Sequence, residues 1–167
     1  MDVGVLARHS SPRRRASPRP AHRRPASARR PDRRVTPQRS RRRPLDGYRL
    51  LVIEDHRDSR ELLRQILEGA GAEVELADNG RTGLAVLDAH RPHVILCDLL
   101  MPEMDGLAFA QHVKVNPKWT RIPILAVTAL GGAADYIRTW SHGFTGHLTK
   151  PIDASRLIAA VRRVARR

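Results

Sequence analysis

The sequence has very little cysteine, few aromatic residues and no long apolar run, and each shortage excludes a class of protein. Its single cysteine, Cys97, rules out an intramolecular disulfide and favours a reducing compartment. No stretch approaches the ~18 apolar residues that a membrane-spanning helix needs, and the N-terminus lacks the apolar core of a secretory signal. These absences predict a soluble cytoplasmic protein with no membrane segment.

Lysine and aromatic residues are missing from the first 47 residues, which nevertheless carry most of the charge. Residues 1–47 contain 15 Arg and three Asp, so they account for +12 of the chain's net charge of +14. A segment rich in Arg, Pro and Ser cannot bury enough apolar surface to offset the entropy of ordering. We therefore predict a disordered tail over residues 1–47 and a single folded domain over residues 48–167.

Short apolar runs alternate with helical patterns throughout residues 48–167. Five such runs predict strands ending near Ile53, Ala77, Cys97, Val127 and Thr149, and each is followed by apolar residues at helical spacing. Almost uniformly apolar runs are typical of parallel strands that are buried on both faces. The sequence thus predicts a doubly wound α/β domain with a five-stranded parallel sheet of flavodoxin-like order 2-1-3-4-5.

Local signals predict where some of these elements begin and which of their residues share a face. Asp58 is the expected N-cap of the first helix, since a Glu follows it three residues later. The fourth strand is expected over residues 122–127. The next helix should carry Ala133, Ile137 and Trp140 along one stripe.

Polar residues follow four of the apolar runs, at the points where the predicted strands end. Glu54-Asp55 follows the first strand, Asp98 the third, Thr128 the fourth and Lys150-Pro151 the fifth. Open α/β sheets build their sites at these carboxyl ends, so we expect the polar side chains to meet. Three carboxylates brought together repel one another and need a divalent cation between them. An oxygen-only ligand set favours Mg²⁺.

These motifs, in this order, resemble the response-regulator receiver family of two-component signalling. The resemblance covers residues 49–166. It implies that Asp98 accepts a phosphoryl group and holds it as an acyl phosphate. It also implies direct Mg²⁺ contacts from Asp55, Asp98 and the main-chain carbonyl of Leu100, with Glu54 acting through water. Thr128 and Lys150 would then bind phosphoryl oxygens, and the Lys150-Pro151 peptide would be cis.

One position departs from the family's pattern. His147 stands three residues before Lys150, where the family usually has an aromatic switch residue coupled to Thr128. We expect a partly buried neutral ring that fills the same space. A pH-sensitive switch is the alternative, because imidazole titrates near neutrality.

Other classes of protein fit the sequence less well. A haloacid-dehalogenase-type phosphatase would have a second Asp two residues after Asp98, where this chain has Leu100. Neither G-x-G-x-x-G nor G-x-x-x-x-G-K-[ST] follows a predicted strand, which argues against a nucleotide site. The histidines show no short spacing with cysteine that would indicate zinc.

The expected function is that of a stand-alone phosphoacceptor, not a turnover enzyme. It would be phosphorylated by a sensor histidine kinase or phosphotransfer protein and would signal through a partner protein. The alternative is a polyanion-binding protein that binds nucleic acid weakly and without sequence specificity through residues 8–43. A further alternative is that residues 1–47 have no function, as they would if they were translated from upstream of the true start.

Overall fold

Five strands alternate with five helices along residues 42–166, the part of the chain that the computed structural model describes. The elements are β1 Arg49–Ile53, α1 Arg57–Gly69, β2 Glu73–Ala77, α2 Gly80–His90, β3 Val94–Cys97, α3 Gly106–Val115, β4 Ile124–Thr128, α4 Ala133–Ser141, β5 Gly146–Thr149 and α5 Ala154–Val164. All the strand pairs are parallel, and the order across the sheet is β2-β1-β3-β4-β5. The predicted flavodoxin-like order is confirmed.

Alternate residues of the three central strands point to opposite faces of the sheet and fill two separate apolar layers. In β1, Leu50 and Val52 pack with α1 and α5, whereas Leu51 and Ile53 pack with α2 and α3. β3 and β4 alternate in the same way. Because helices cover both faces, these strands read as continuous apolar runs in the sequence.

The register of the parallel strands places the polar residues at one end of the sheet. Ile53 pairs with Cys97, and Thr128 pairs with Thr149. Glu54, Asp98 and Lys150, each the residue after a strand, therefore lie at the same end of the sheet. The predicted gathering of the strand-end motifs follows from this register.

The folded domain begins earlier than the predicted boundary at Tyr48. Pro44–Gly47 form a turn, and Leu45 is fully buried in the α1/α5 layer. Its main-chain N–H donates to the carbonyl of Ala70 at 2.9 Å. A single Leu in an Arg/Pro-rich context has no apolar period, so the pattern gave no sign of it. The predicted disorder of residues 1–41 lies outside the described residues.

Two other local predictions differ from the structure. Helix α1 begins at Arg57, and its N-cap is His56, whose ring accepts from the N–H of Ser59, so the prediction of Asp58 was wrong. Strand β4 spans Ile124–Thr128, so it begins two residues later and ends one residue later than the predicted strand over residues 122–127. The α4 stripe faces solvent: Ile137 is 71% and Trp140 53% exposed. None of the helices within residues 42–166 is long and apolar enough to cross a membrane.

Candidate functional site

Asp98 follows β3 directly and is held there by three hydrogen-bond donors. Its side chain is almost buried, and its Oδ1 accepts from the main-chain N–H of Leu99 at 2.6 Å and of Leu100 at 3.3 Å. Its Oδ2 accepts from Nζ of Lys150 at 2.7 Å. Hydrogen bonds to the charged form are what a buried carboxylate needs. The carboxylate is therefore fixed in one orientation at the carboxyl end of the strands, where ligands of such sheets bind.

Glu54 is the most deeply buried acid of the site. It is 1% exposed, and its Oε2 accepts from Nζ of Lys150 at 2.6 Å. Burial raises the pKa of the Glu54 carboxyl, and the opposing attraction of the Lys150 ammonium does not cancel that effect. Asp98 adds a smaller like-charge repulsion in the same direction as burial. Glu54 therefore carries a negative charge at a cost, which a nearby cation would reduce.

Lys150 bridges the two buried carboxylates from the end of β5. Burial acts to lower its pKa, but the hydrogen bonds and charges of Asp98 and Glu54 outweigh burial, so the pKa of the ammonium is raised. Lys150 therefore remains charged around neutrality. The peptide bond from Lys150 to Pro151 is cis, as the resemblance implied.

Asp55 completes an acidic cluster with Glu54 and Asp98. One carboxylate oxygen of each residue lies within 4.8 Å of the others, and Asp55 is the exposed member. This spacing and an oxygen-only donor set fit a hard divalent cation. The fit comes from the side chains themselves: two buried acids face one ammonium, so the cluster retains negative charge that an ion could neutralise.

Thr128 ends β4 and is fully buried. Its Oγ1 accepts from the main-chain N–H of Leu130 at 3.3 Å, and its carbonyl accepts from the N–H of Lys150 at 2.8 Å. Thr128 thus lies beside the base of Lys150 on the neighbouring strand. It makes no hydrogen bond to Asp98 within residues 42–166, so the structure brings four of the five predicted side chains into direct association and leaves Thr128 adjacent.

His147 is buried and is held by α4 and by the loop after β4. Its Nε2 donates to the carbonyl of Leu130 at 2.8 Å, because a carbonyl can only accept. Its Nδ1 lies 3.2 Å from Oγ1 of Thr139, and its ring stacks on Tyr136 with centroids 4.1 Å apart. The ring is therefore buried between α4 and this loop, with a hydrogen-bond partner at each nitrogen.

Cys97 contributes no reactive group to the site. The residue is fully buried, and its thiol donates to the carbonyl of Asp98 at 3.1 Å. Burial, reinforced by the nearby Asp98 carboxylate, raises the pKa of the Cys97 thiol well above its ordinary value. A thiol that stays protonated is a poor nucleophile.

Comparison with known proteins agrees with this geometry. Residues 50–162 match the model of the response regulator receiver domain. The chain belongs to the response regulator receiver family. Receiver domains of this family are the signal-receiving modules of two-component systems, and the resemblance drawn from the strand-end motifs is confirmed.

Individual relatives share the receiver and differ in what surrounds it. Response regulator PleD of Caulobacter vibrioides is 38% identical over 118 residues, 71% of this chain but only 26% of PleD. The structure of chemotaxis protein CheY4 of Vibrio cholerae has a TM-score of 0.67 at 32% identity and covers 70% of this chain and 98% of that one. The manganese-bound form of response regulator Rcp1 has a TM-score of 0.59 at 25% identity, covering 70% of this chain and 91% of its own.

No role was assigned from the sequence to Arg60 or to the main chain of Leu130, and both shape this receiver's site. Arg60 on α1 donates to the main-chain carbonyls of both Glu54 and Asp55. Leu130 links Thr128 to His147 through its own N–H and carbonyl. The spacing of an Arg five residues after Asp55, inside the first turns of the following helix, was a signal that could have pointed to Arg60. Nothing in the sequence marks the main chain of Leu130.

Proposed function

We propose that Asp98 accepts a phosphoryl group from a phosphohistidine of a sensor kinase or phosphotransfer protein. A carboxylate oxygen attacks phosphorus, the phosphorus–nitrogen bond breaks, and the donor imidazole takes up a proton as it leaves. The product is an acyl phosphate on Asp98. The observation that carries the proposal is the fixed Asp98 carboxylate, held by two main-chain N–H groups and Lys150 beside an acidic pair.

Asp55, Asp98 and the main-chain carbonyl of Leu100 would hold Mg²⁺ directly, with Glu54 acting through water. When bound, the ion supplies positive charge that offsets the charge on the transferring phosphoryl group. The raised pKa of the Glu54 carboxyl supports this assignment, because the buried charge of Glu54 lacks full compensation from Lys150 alone. The exposure of Asp55 gives an ion access from solvent.

Lys150 and Thr128 would bind phosphoryl oxygens once Asp98 is modified. The ammonium of Lys150 is 2.7 Å from Oδ2 of Asp98, so it is already placed to neutralise charge on a group attached there. The hydroxyl of Thr128 has a proton that it can donate. It makes no hydrogen bond to Asp98 within residues 42–166, so we expect Thr128 to move toward a phosphoryl group on Asp98.

His147 would report that movement to α4. The N–H of Leu130 donates to Thr128 and its carbonyl accepts from His147, so a shift of the main chain at Leu130 would strain the bond to the ring. The ring in turn contacts Tyr136 and Thr139 of α4. We expect His147→Leu, which removes both the ring and the donor, to abolish any phosphorylation-dependent change in amide exchange over residues 133–141. An unchanged response in this variant would contradict the role.

Intact-mass measurement tests the central proposal. The protein is incubated with Mg²⁺ and a small phosphodonor such as acetyl phosphate. The wild type should gain one phosphoryl group, and Asp98→Asn should gain none while keeping its fold by circular dichroism, since it loses only the nucleophile. Exposed Asp88→Asn, which lies on α2 away from the cluster, serves as the matched control and should be phosphorylated normally. Retained uptake in Asp98→Asn would rule out Asp98 as the acceptor.

The proposed partners are a kinase or phosphotransfer protein upstream and a second protein that recognises the phosphorylated receiver. Polyanion binding through residues 8–43 is not favoured by the comparisons. Within that range the structure describes only Arg42 and Arg43, and the guanidinium of Arg43 already pairs with Asp46 at 3.1 Å.

A further inference from the structure

Arg60 ties helix α1 to the loop that carries the acidic pair. Its Nη1 donates to the main-chain carbonyl of Asp55 at 3.1 Å and also to that of Glu54. Within residues 42–166 it forms no ion pair with a carboxylate. The guanidinium therefore acts on the path of the main chain and leaves both carboxylates free to face Asp98.

The Asp55 carboxylate depends on that path more than its neighbours do. Glu54 and Asp98 are both fixed by Lys150, whereas the side chain of Asp55 has no hydrogen-bond partner in the described part of the chain. Its direction is set by the backbone of Glu54-Asp55-His56. Two carbonyls of this stretch accept from a single guanidinium nitrogen, so that one group restrains both peptide planes.

We propose that Arg60 is a positioning residue for the metal site, orienting the acidic pair toward Asp98 by holding its two main-chain carbonyls. This inference rests on the proposed function of the cluster as a Mg²⁺ site. Two effects of Arg60 oppose each other: its positive charge repels a cation, and its hydrogen bonds orient a direct ligand. The effect on orientation should exceed the charge repulsion, because Mg²⁺ requires near-ideal octahedral geometry and binds poorly when a ligand is displaced.

Arg57 provides a matched control for the charge. It is the first residue of α1, also close in sequence to the acidic pair, and has no hydrogen bond to the loop among the described residues. Arg57→Met and Arg60→Met each remove one positive charge from the same end of the same helix. Only Arg60→Met removes the bonds to the carbonyls. The two effects therefore predict opposite shifts in metal affinity.

The experiment measures the Mg²⁺ dissociation constant of the full-length protein by calorimetry at fixed ionic strength. Arg60→Met should weaken binding about tenfold or more, as is typical when a group supporting a metal ligand is lost. Arg57→Met should bind as tightly as the wild type or more tightly. Arg60→Lys, which keeps the charge and one reachable donor, should recover part of the loss. Equal affinities for Arg57→Met and Arg60→Met would overturn the proposal.

A second measurement separates failure of this proposal from failure of the metal site. In metal-free protein, Arg60→Met should accelerate amide hydrogen exchange over residues 54–57, and Arg57→Met should accelerate it less. If the wild type binds no Mg²⁺, the proposed metal site is wrong, and faster exchange in Arg60→Met would still support the orienting contact. Unchanged exchange over residues 54–57 in Arg60→Met would refute that contact whatever the metal does.

Discussion

At the scale of single residues, Lys150 compensates part of the negative charge of the site. One ammonium contacts Glu54 at 2.6 Å and Asp98 at 2.7 Å, so two buried acids share a single counter-charge. Removing the Lys150 ammonium would leave two buried carboxylates uncompensated, which is strongly destabilising, whereas removing the charge of Glu54 leaves Lys150 paired with Asp98. The two carboxylates therefore carry more negative charge than Lys150 compensates. The stability of the domain should depend on pH through Glu54.

Glu54→Gln should raise the melting temperature of metal-free protein near neutral pH by a few degrees. The folded-state pKa of Glu54 is raised, mainly by burial, so this residue's contribution to stability is fully present below its unfolded value of 4.5. That contribution is lost as pH rises through the folded pKa. Glu54→Gln removes the loss, so the two proteins should match at about pH 4 and diverge above it.

Melting curves from about pH 4 to pH 8 in the presence of a chelator check this prediction. Glu75→Gln is the control, since Glu75 is an exposed residue of the edge strand β2. If Glu54→Gln melts lower than the wild type at neutral pH, the bond to Lys150 outweighs burial and our account of the Glu54 pKa is wrong.

The acyl phosphate on Asp98 should be long-lived. Hydrolysis needs a water in line with phosphorus, and the side chains best placed to orient it come two residues after Asp98 and two after Thr128. Both are leucine: Leu100 is 60% exposed above β3, and Leu130 lines a cavity of about 30 Å³ together with Leu100. Neither can hydrogen-bond a water, so termination of the signal would depend on another protein.

Phosphoryl decay in the wild type, Leu100→Asn and Leu130→Glu measures the contribution of these side chains. Either polar replacement should speed the loss about tenfold, because it supplies a group that can orient water. Val115→Asn, which alters an exposed residue at the far end of α3, should leave the rate unchanged. The water-exclusion argument fails if neither replacement at Leu100 or Leu130 accelerates decay.

At the scale of elements, Gly106 lets α3 start directly against the site. Its N–H donates to the carbonyl of Leu99 at 3.1 Å, and a Cβ at this position would overlap the carbonyl oxygen of Asp98. No side chain fits there without moving either α3 or the end of β3. The close approach fixes the loop whose N–H groups hold the Asp98 carboxylate.

Gly106→Ala should therefore destabilise the domain by about 1–3 kcal/mol, a cost typical of overpacking. Urea unfolding gives the free energy. Gly69→Ala is the matched control: a Cβ there meets nothing within 4 Å, and helix α1 should gain up to about 1 kcal/mol from the better helix former. Similar values for the two variants would mean that the chain around Asp98 relaxes without cost.

Element positions were largely predictable, and the side chains that cross between elements were not. Strands β1, β3 and β4 are buried on both faces, which makes their apolar runs unmistakable, and their shared register brings Glu54, Asp98 and Lys150 together. The His56 cap depends on a rotamer that spacing does not encode, and spacing places Arg60 near the acidic pair without showing which atoms it contacts. The α4 stripe is regular, yet regularity alone cannot tell a core-facing helix from one with an exposed apolar face.

At the scale of the whole molecule, composition and packing place the start of the folded part at different residues. Net charge and the lack of aromatic residues indicated a boundary near residue 47, but Leu45 belongs to the core of the folded part. Composition averages over many residues, so it does not register the burial of one leucine. The extent of the folded domain is therefore best tested by truncation.

Deleting residues 1–41 should leave the melting temperature and the phosphorylation rate unchanged, because an Arg/Pro-rich segment has no apolar face with which to pack. Deleting residues 1–47 should lower the free energy of unfolding by about 2–5 kcal/mol, the usual effect of losing a buried leucine. It also removes the hydrogen bond from Leu45 to Ala70. Leu45→Ala in the full chain is the control and should reproduce most of that loss. Earlier melting of the 1–41 deletion would show that the domain extends further toward the N-terminus.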